Sequence, residues 1–232
     1  VDVLKLVQRK LKGMIADINK MLSSHKDLIS TPEDIKLTQD SIIDSKQPDG
    51  SIDCIITSPP YGIESVSYLR THLLSYRCLQ SILEYDPYNF DEKIIGSEYV
   101  KETNSFIPTY NSANYSETFN NFFKQNFLEE NSKKFVQRKN MMVHFFDDMV
   151  KVAQQFQKWV RPGGRVAFVI GNKRLGEKVI PTDLMITEIF ESFGLTLDES
   201  INHKLKCNNS NSEVPWQERI IQDEFVLLFT KK

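Results

Sequence analysis

The sequence has little of what marks secreted, membrane-spanning or strongly basic nucleic-acid-binding proteins. Its three cysteines are widely spaced and lack a CxxC pair, which fits a reducing compartment better than a disulfide or zinc framework. His72, His144 and His203 have no carboxylate or cysteine companion at ligand spacing, so no metal is expected. No apolar run approaches a membrane span, and the charged amphipathic N-terminus is unlike a signal peptide. With a net charge of −2, any contact with nucleic acid must be a local patch. We expect a cytoplasmic protein.

The pattern of apolar residues predicts an α/β protein. Helical spacing covers residues 3–22, 142–160 and 183–193. Short β-branched or alternating runs predict strands at 35–38, 53–57, 165–170, 196–205 and 224–229. Strands that alternate with helices imply a parallel sheet with right-handed crossovers. The 232 residues suffice for one domain with its own core.

The most informative segment is Thr57–Gly62 (Thr-Ser-Pro-Pro-Tyr-Gly), which directly follows the predicted strand at 53–57. In α/β enzymes the chemistry lies at the carboxyl ends of such strands. Pro59 and Pro60 fix φ and have no N–H, so the loop presents carbonyl oxygens that no neighbouring amide is committed to satisfy. The Ser58 hydroxyl and the Tyr61 ring complete a rigid cup, which suits a planar base with an exocyclic amino group. An ordinary proline turn is the alternative.

Ser-Pro-Pro-Tyr after a hydrophobic strand resembles the catalytic motif of the DNA amino-methyltransferases, which methylate N4 of cytosine or N6 of adenine. The resemblance implies a Rossmann-like methyltransferase sheet. It also implies that Ser58 and the Pro59 carbonyl hold the amino group, that Pro60 stiffens the loop, and that Tyr61 stacks on the base.

By this resemblance, the chain transfers a methyl group from S-adenosylmethionine to the amino group of a base flipped out of DNA, with catalysis mostly by positioning. Ser58, in place of aspartate or asparagine, favours N4 of cytosine. Two alternatives stay open: methylation of RNA or of a protein glutamine, and a non-catalytic remnant that binds DNA or a partner. Restriction–modification and orphan regulatory methylation are not distinguished.

The family's glycine-rich loop, typically Phe-x-Gly-x-Gly, is missing from this sequence. Its backbone amides approach the methionine part of the cofactor. Gly163–Gly164 and Gly171–Gly176 are rejected as substitutes, because their flanks indicate a turn and a post-strand loop. By resemblance, 35–38 is the third strand and 53–57 the fourth, so the first two strands are missing and the sheet is incomplete, with an open edge. We expect an upstream segment or a second chain to supply the glycine-rich loop.

Four further residues have candidate roles. Asp40 follows the strand at 35–38, where this family often places an acid near the cofactor's adenine; a helix cap or turn former is the alternative. Lys173 and Arg174 follow the strand after the catalytic one and are candidates for contacts with DNA phosphates, although solvated surface charge also explains them. Asp53 is expected to fix the turn that precedes its strand.

The whole chain is predicted to be one domain in three parts. Residues 1–62 carry the N-terminal helix and the strands that lead to the catalytic loop. Residues 63–140 are an insertion of helices and loops, interpreted as a target-recognition or lid region; a solvated connector with anchoring aromatics is the alternative. Residues 141–232 form the second half of the sheet. The resemblance covers the chain from about Asp34 onward, apart from much of 63–140.

Overall fold

The computed structural model describes residues 9, 12–17, 19–20, 23, 38, 41–61, 95–96, 111–127, 133–175, 178–205 and 223–232. The chain divides into two compact units, Val1–Ser41 and Ile42–Lys232. In the first unit, the described residues between 9 and 23 are helical, as the spacing over 3–22 predicts. Thr38 is described and has no regular structure, while the rest of the strand predicted at 35–38 lies outside the described residues.

The described part of the second unit contains three α-helices and six strands. In chain order they are β1 (Ile52–Thr57), a 3-10 helix (Ser112–Asn114), α1 (Glu117–Phe127), α2 (Lys133–Trp159), β2 (Val160–Gly171), β3 (Arg174–Leu175), β4 (Lys178–Val179), α3 (Thr182–Ser192), β5 (Leu195–Lys204) and β6 (Asp223–Lys231). The predicted elements from residue 142 onward are confirmed, and α2 begins earlier, at Lys133. Among the described residues, none of the helices has the length and apolarity needed to cross a bilayer.

The main sheet has four strands in the order β1-β2-β6-β5. β1 runs parallel to β2, whereas β6 is antiparallel to both β2 and β5. The mixed α/β class is therefore confirmed, but the expectation of a wholly parallel sheet is wrong for β6. The difference arises because β5 and β6 are consecutive strands that pair directly with each other, and this pairing is antiparallel.

The core lies between one face of this sheet and the helices α2 and α3. Along β2, every second residue from Val166 to Ile170 is buried, as expected for a strand with one covered face. Phe190 of α3 is the centre of the aromatic packing. Its ring centroid lies 5.8 Å from that of Phe156 on α2, 4.9 Å from that of Phe168 on β2, and 5.1 Å from that of Phe229 on β6. These edge-to-face and tilted contacts join four elements at one point.

α1 is attached to α3 by one carboxylate. Glu188 accepts hydrogen bonds from the Ser116 hydroxyl (2.6 Å), the Thr118 amide (3.0 Å) and the Thr118 hydroxyl (2.5 Å). Phe119 and Phe123 of α1 are buried in the core. One side of residues 111–127 thus packs against the core of the second unit.

A bulge in β2 interrupts the pairing of β1 with β2 near their first residues. Asp53 alone stands opposite residues 161–164, because the register runs from the Ile52–Val160 pair directly to the Cys54–Arg165 pair. Glycine is needed in this bulge. Gly163 has φ +74°, and a Cβ on Gly164 would lie 2.6 Å from a side-chain carbon of Val160.

The turn before β1 is centred on Pro48–Gly50, and its hydrogen bonds do not come from Asp53. Gly50 has φ +63°, and the Ser51 hydroxyl and amide both donate to the Pro48 carbonyl. The Asp53 carboxylate instead accepts a hydrogen bond from Arg161 Nε at 2.5 Å. The expected role of Asp53 in the turn is therefore wrong: the β1–β2 bulge brings the arginine within its reach.

Candidate active site

The loop Ser58–Tyr61 lies at the carboxyl end of β1. Because β1 and β2 are parallel, with Thr57 opposite Phe168, the loop also adjoins the carboxyl end of β2. β6 is antiparallel to β2 and begins at this same edge, where Glu224 stands opposite Gly171. The end of β1, the end of β2 and the start of β6 thus meet at the edge where α/β enzymes place their chemistry.

One hydrogen bond joins the loop to β6, and a second lies within the loop. The Tyr61 hydroxyl donates to Glu224 Oε1 at 2.6 Å. Ser58 Oγ lies 3.1 Å from the same Tyr61 hydroxyl oxygen. Neighbouring strands are about 4.8 Å apart, so β1 and β6 are about 10 Å apart, on either side of β2. The contact between Tyr61 and Glu224 therefore spans the carboxyl end of β2.

Exposure differs along the loop. Ser58 is exposed, while Pro59, Pro60 and Tyr61 are half-buried, and Tyr61 packs against the hydrophobic core. Burial, and next the hydrogen bond to Glu224, raise the pKa of the Tyr61 hydroxyl above its ordinary value of about 10, while the Ser58 bond acts in the opposite direction. Tyr61 is therefore a neutral phenol at physiological pH, with its hydroxyl fixed at the wall of the site.

Asn172, the first residue after β2, holds this edge together. Its side-chain amide donates to Asp183 Oδ1 at 2.8 Å and accepts from the Asp183 backbone N–H at 3.0 Å. Its own backbone N–H donates to the Asp223 carbonyl at 3.3 Å. One asparagine thus caps the first turn of α3 and joins it to the ends of β2 and β6. Sequence reasoning assigned it no role.

Two of the other predicted site residues follow β2 in the chain, and the third lies outside the described residues. Lys173 is half-buried beside Asn172, and its carbonyl accepts a hydrogen bond from the Ile180 N–H at 2.7 Å. Arg174 is in β3, where its backbone pairs with that of Val179. Asp40 is outside the described residues. In the described part of the chain, no group of three or more metal-ligating side chains occurs.

Glu224 is the functional candidate that sequence reasoning missed. The strand at 224–229 was predicted, but its first residue was read only as part of that strand. A signal was present, because an acidic residue precedes an otherwise apolar run. Using that signal requires knowing that β6 runs antiparallel to β2, since only then does its first residue lie at the edge that carries the loop Ser58–Tyr61.

The described glycines do not form a cradle for a cofactor at this edge. Gly163 and Gly164 lie in the bulge at the opposite end of β2. Gly171 is paired with Glu224 in the β2–β6 ladder. Within the described residues, β1 pairs on one side, with β2, and its Ile56 side chain is 80% exposed.

No family model matches the sequence. Among curated proteins, the chain is 23% identical over 217 residues to the Type II methyltransferase M.BsoBI of Geobacillus stearothermophilus, in a match covering 84% of this chain and 42% of that protein. Among solved structures, it is similar to TTHA0409 of Thermus thermophilus, a protein attributed to the DNA modification methylases. One form shows 16% identity, a TM-score of 0.36 and coverage of 80% of this chain and 47% of that one. Another, complexed with S-adenosyl-L-methionine, shows 14% identity and a TM-score of 0.37, with coverage of 80% and 47%.

TM-scores this low carry no structural argument, so the sequence match is the informative one. The chain spans less than half the length of these relatives. Together with the Ser-Pro-Pro-Tyr loop at the carboxyl end of β1, the match to a Type II methyltransferase supports assignment of the chain to the DNA methyltransferases.

Proposed function

We propose that this chain is the catalytic part of a site-specific DNA methyltransferase that modifies the exocyclic amino group of a flipped base, N4 of cytosine, with S-adenosylmethionine as cofactor. The observation that carries the proposal is the placement of Ser58–Tyr61. The loop follows a strand parallel to its neighbour, exposes the Ser58 hydroxyl, and has its tyrosine held by a residue of a third strand.

Each residue of the loop has a role in positioning the base. Ser58 Oγ and the Pro59 carbonyl accept the two amino protons, which leaves the nitrogen lone pair free to point away from both. Pro60 limits the motion of the loop, and the Tyr61 ring stacks on the base. S-adenosylmethionine, when bound, would supply an electrophilic methyl group to that lone pair, and the amino proton would be lost to solvent.

The glycine-rich cofactor loop is proposed to come from an upstream segment or a second chain. Two observations support this: the exposed Ile56 on β1, which in the described part pairs on one side, and the chain's coverage of 42% of its curated relative. A strand added to β1 would place that loop beside Ser58. Lys173 and Arg174 are proposed contacts to DNA phosphates. The target-recognition or lid region is proposed to lie within 63–140, outside the residues of 111–127 and α2 that pack in the core.

The proposal is tested by methyl transfer to unmethylated DNA, with the chain alone and with the complete enzyme. Mass spectrometry of the product nucleosides should show N4-methylcytosine. Detection of N6-methyladenine instead would support methylation of an amino group but would show that the target base is adenine. Methylated RNA or glutamine with unmodified DNA would contradict the proposal, and DNA binding without any transfer would favour the non-catalytic remnant.

Tyr61→Ala tests the loop directly. Base–aromatic stacking is worth roughly 1–3 kcal/mol, so transfer should fall by about tenfold to a hundredfold or more. Calorimetric affinity for S-adenosylmethionine should stay nearly the same. Tyr115→Ala is the matched control, since this half-buried tyrosine packs on Phe193, with ring centroids 4.9 Å apart, outside the loop. Unchanged turnover in Tyr61→Ala would refute the stacking role.

A further inference from the structure

Ser58, Tyr61 and Glu224 form a chain of hydrogen bonds whose proton directions can be counted. An ionised carboxylate only accepts hydrogen bonds, and a phenol has one proton to donate. The Tyr61 proton goes to Glu224 Oε1, 2.6 Å away. The contact of 3.1 Å between Ser58 Oγ and the Tyr61 oxygen must then use the proton of Ser58.

We propose that Glu224 is a positioning residue that, through the Tyr61 hydroxyl, turns the Ser58 hydroxyl proton away from the substrate, so that Ser58 Oγ offers only lone pairs to the incoming base. The catalytic consequence of this inference rests on the proposed function. The structural part of the inference, the direction of the two hydrogen bonds, does not depend on it.

This arrangement selects between amino and keto groups. The amino group of cytosine or adenine presents N–H donors, which an acceptor-only Ser58 oxygen satisfies. The keto oxygen of thymine, uracil or guanine presents lone pairs, which would face the lone pairs of Ser58. A serine free to rotate would accept either group, because a hydroxyl both donates and accepts. Glu224 thus confers selectivity although two residues separate it from the base.

The bond directions can be tested in the chain by itself, by following the ionisation of Tyr61. Ultraviolet difference titration against Tyr61→Phe isolates this residue from the eight tyrosines of the sequence. Glu224→Gln should lower the pKa of Tyr61, because it removes the charge that holds the phenol proton. Ser58→Ala should raise it, because a donor that stabilises the phenolate is lost. Shifts of opposite sign in the pKa of Tyr61 are expected if Ser58 donates to Tyr61 and Tyr61 donates to Glu224.

Asp223→Asn is the matched control. It removes the same charge one position away, on a side chain that points to the other face of the strand. It should leave the Tyr61 titration nearly unchanged. If Glu224→Gln has no more effect than this control, the contact is refuted. If Ser58→Ala lowers the pKa of Tyr61, the serine accepts a hydrogen bond rather than donating one, and the proposed bond directions are wrong.

If alkali unfolds the chain before Tyr61 ionises, proton exchange at neutral pH decides the question. Exchange of the Tyr61 hydroxyl proton should be faster in Glu224→Gln and unchanged in Ser58→Ala. Faster exchange in Ser58→Ala alone would reverse the assigned directions and overturn the proposal.

The catalytic consequence has a separate readout. In the complete enzyme, Glu224→Gln should lower kcat for methyl transfer by roughly tenfold, the effect of one weakened charge-assisted hydrogen bond. The affinity for S-adenosylmethionine should not change. Absence of transfer in the wild-type enzyme would count against the proposed function and not against the bond directions. An unchanged kcat in an otherwise active Glu224→Gln enzyme would refute the positioning role alone.

Discussion

Replacing Gly164 with alanine should force β1 and β2 apart at their first residues. A Cβ on Gly164 would lie 2.6 Å from Val160 Cγ1, 2.9 Å from the Arg161 carbonyl oxygen and 3.0 Å from the Asp53 carbonyl oxygen. Carbon atoms in contact prefer separations of about 3.5–4.0 Å, so the closest neighbour must retreat by about 1 Å. Two of the three contacts are backbone atoms, which cannot turn aside as the end of a flexible side chain does.

The magnitude follows from what surrounds the new methyl group. Val160 is completely buried, so its side chain has no open space to enter. Extra carbon in a packed interior typically costs about 1–3 kcal/mol, and we expect a loss of about 2 kcal/mol in the free energy of unfolding. For a unit of this size, that corresponds to a fall in Tm of about 4–8 °C.

The measurement is urea unfolding followed by the fluorescence of Trp159, which is buried directly before Val160. The sequence has two tryptophans, so a Trp216→Phe background makes Trp159 the sole reporter. Gly163→Asn is the matched control. Gly163 has φ +74° but its nearest atom to a Cβ is 3.9 Å away, and asparagine tolerates this conformation, so the loss should stay below about 1 kcal/mol.

The reasoning is refuted if Gly164→Ala unfolds within about 0.5 kcal/mol of the parent, the range of a neutral surface change. That result would mean that β1 can move away from the bulge at little cost. The damage should also stay local. The register pairs from Cys54 to Thr57 lie between the bulge and the loop, so the Tyr61 titration should be the same as in the wild type.

Three further predictions concern packing and charge in the second unit. Phe190→Ala should lower the free energy of unfolding by about 3–5 kcal/mol in urea unfolding, because it empties the centre of the aromatic cluster; a loss below about 1 kcal/mol would contradict that position. Glu188→Ala should cost about 2–3 kcal/mol and speed proteolysis within 111–127, because it leaves the polar groups of Ser116 and Thr118 without their acceptor. Asp53→Asn should change stability by less than about 0.5 kcal/mol, since the carboxylate is 78% exposed; a larger loss would show that its arginine pair stabilises the bulge.

Local sequence patterns predicted most of the elements that the structure describes. Apolar residues at helical spacing indicated α2 and α3, and β-branched runs indicated β1, β2 and β6, because each pattern reflects burial of one face of a regular element. The start of α2 at Lys133 was missed. Its first turns are rich in charged residues, and their apolar periodicity is too weak to show a helix.

The partners of the site could not be predicted in the same way. Tyr61 and Glu224 are 163 positions apart in the sequence. Their contact depends on β6 lying next to β2 in the antiparallel direction. Local periodicity carries no information on strand order, so Glu224, which accepts the hydrogen bond of Tyr61, was read only as the first residue of a strand.

The sequence by itself determined the chemistry of the loop: a hydroxyl, two carbonyls without neighbouring donors and an aromatic ring, directly after a strand. Those properties are local, because proline and residue type set them without help from the rest of the chain. Only the tertiary structure decided which groups orient that loop. Strand order and direction brought Glu224 to Tyr61, and the β1–β2 bulge brought Arg161 to Asp53, because both pairings are set by the register between strands.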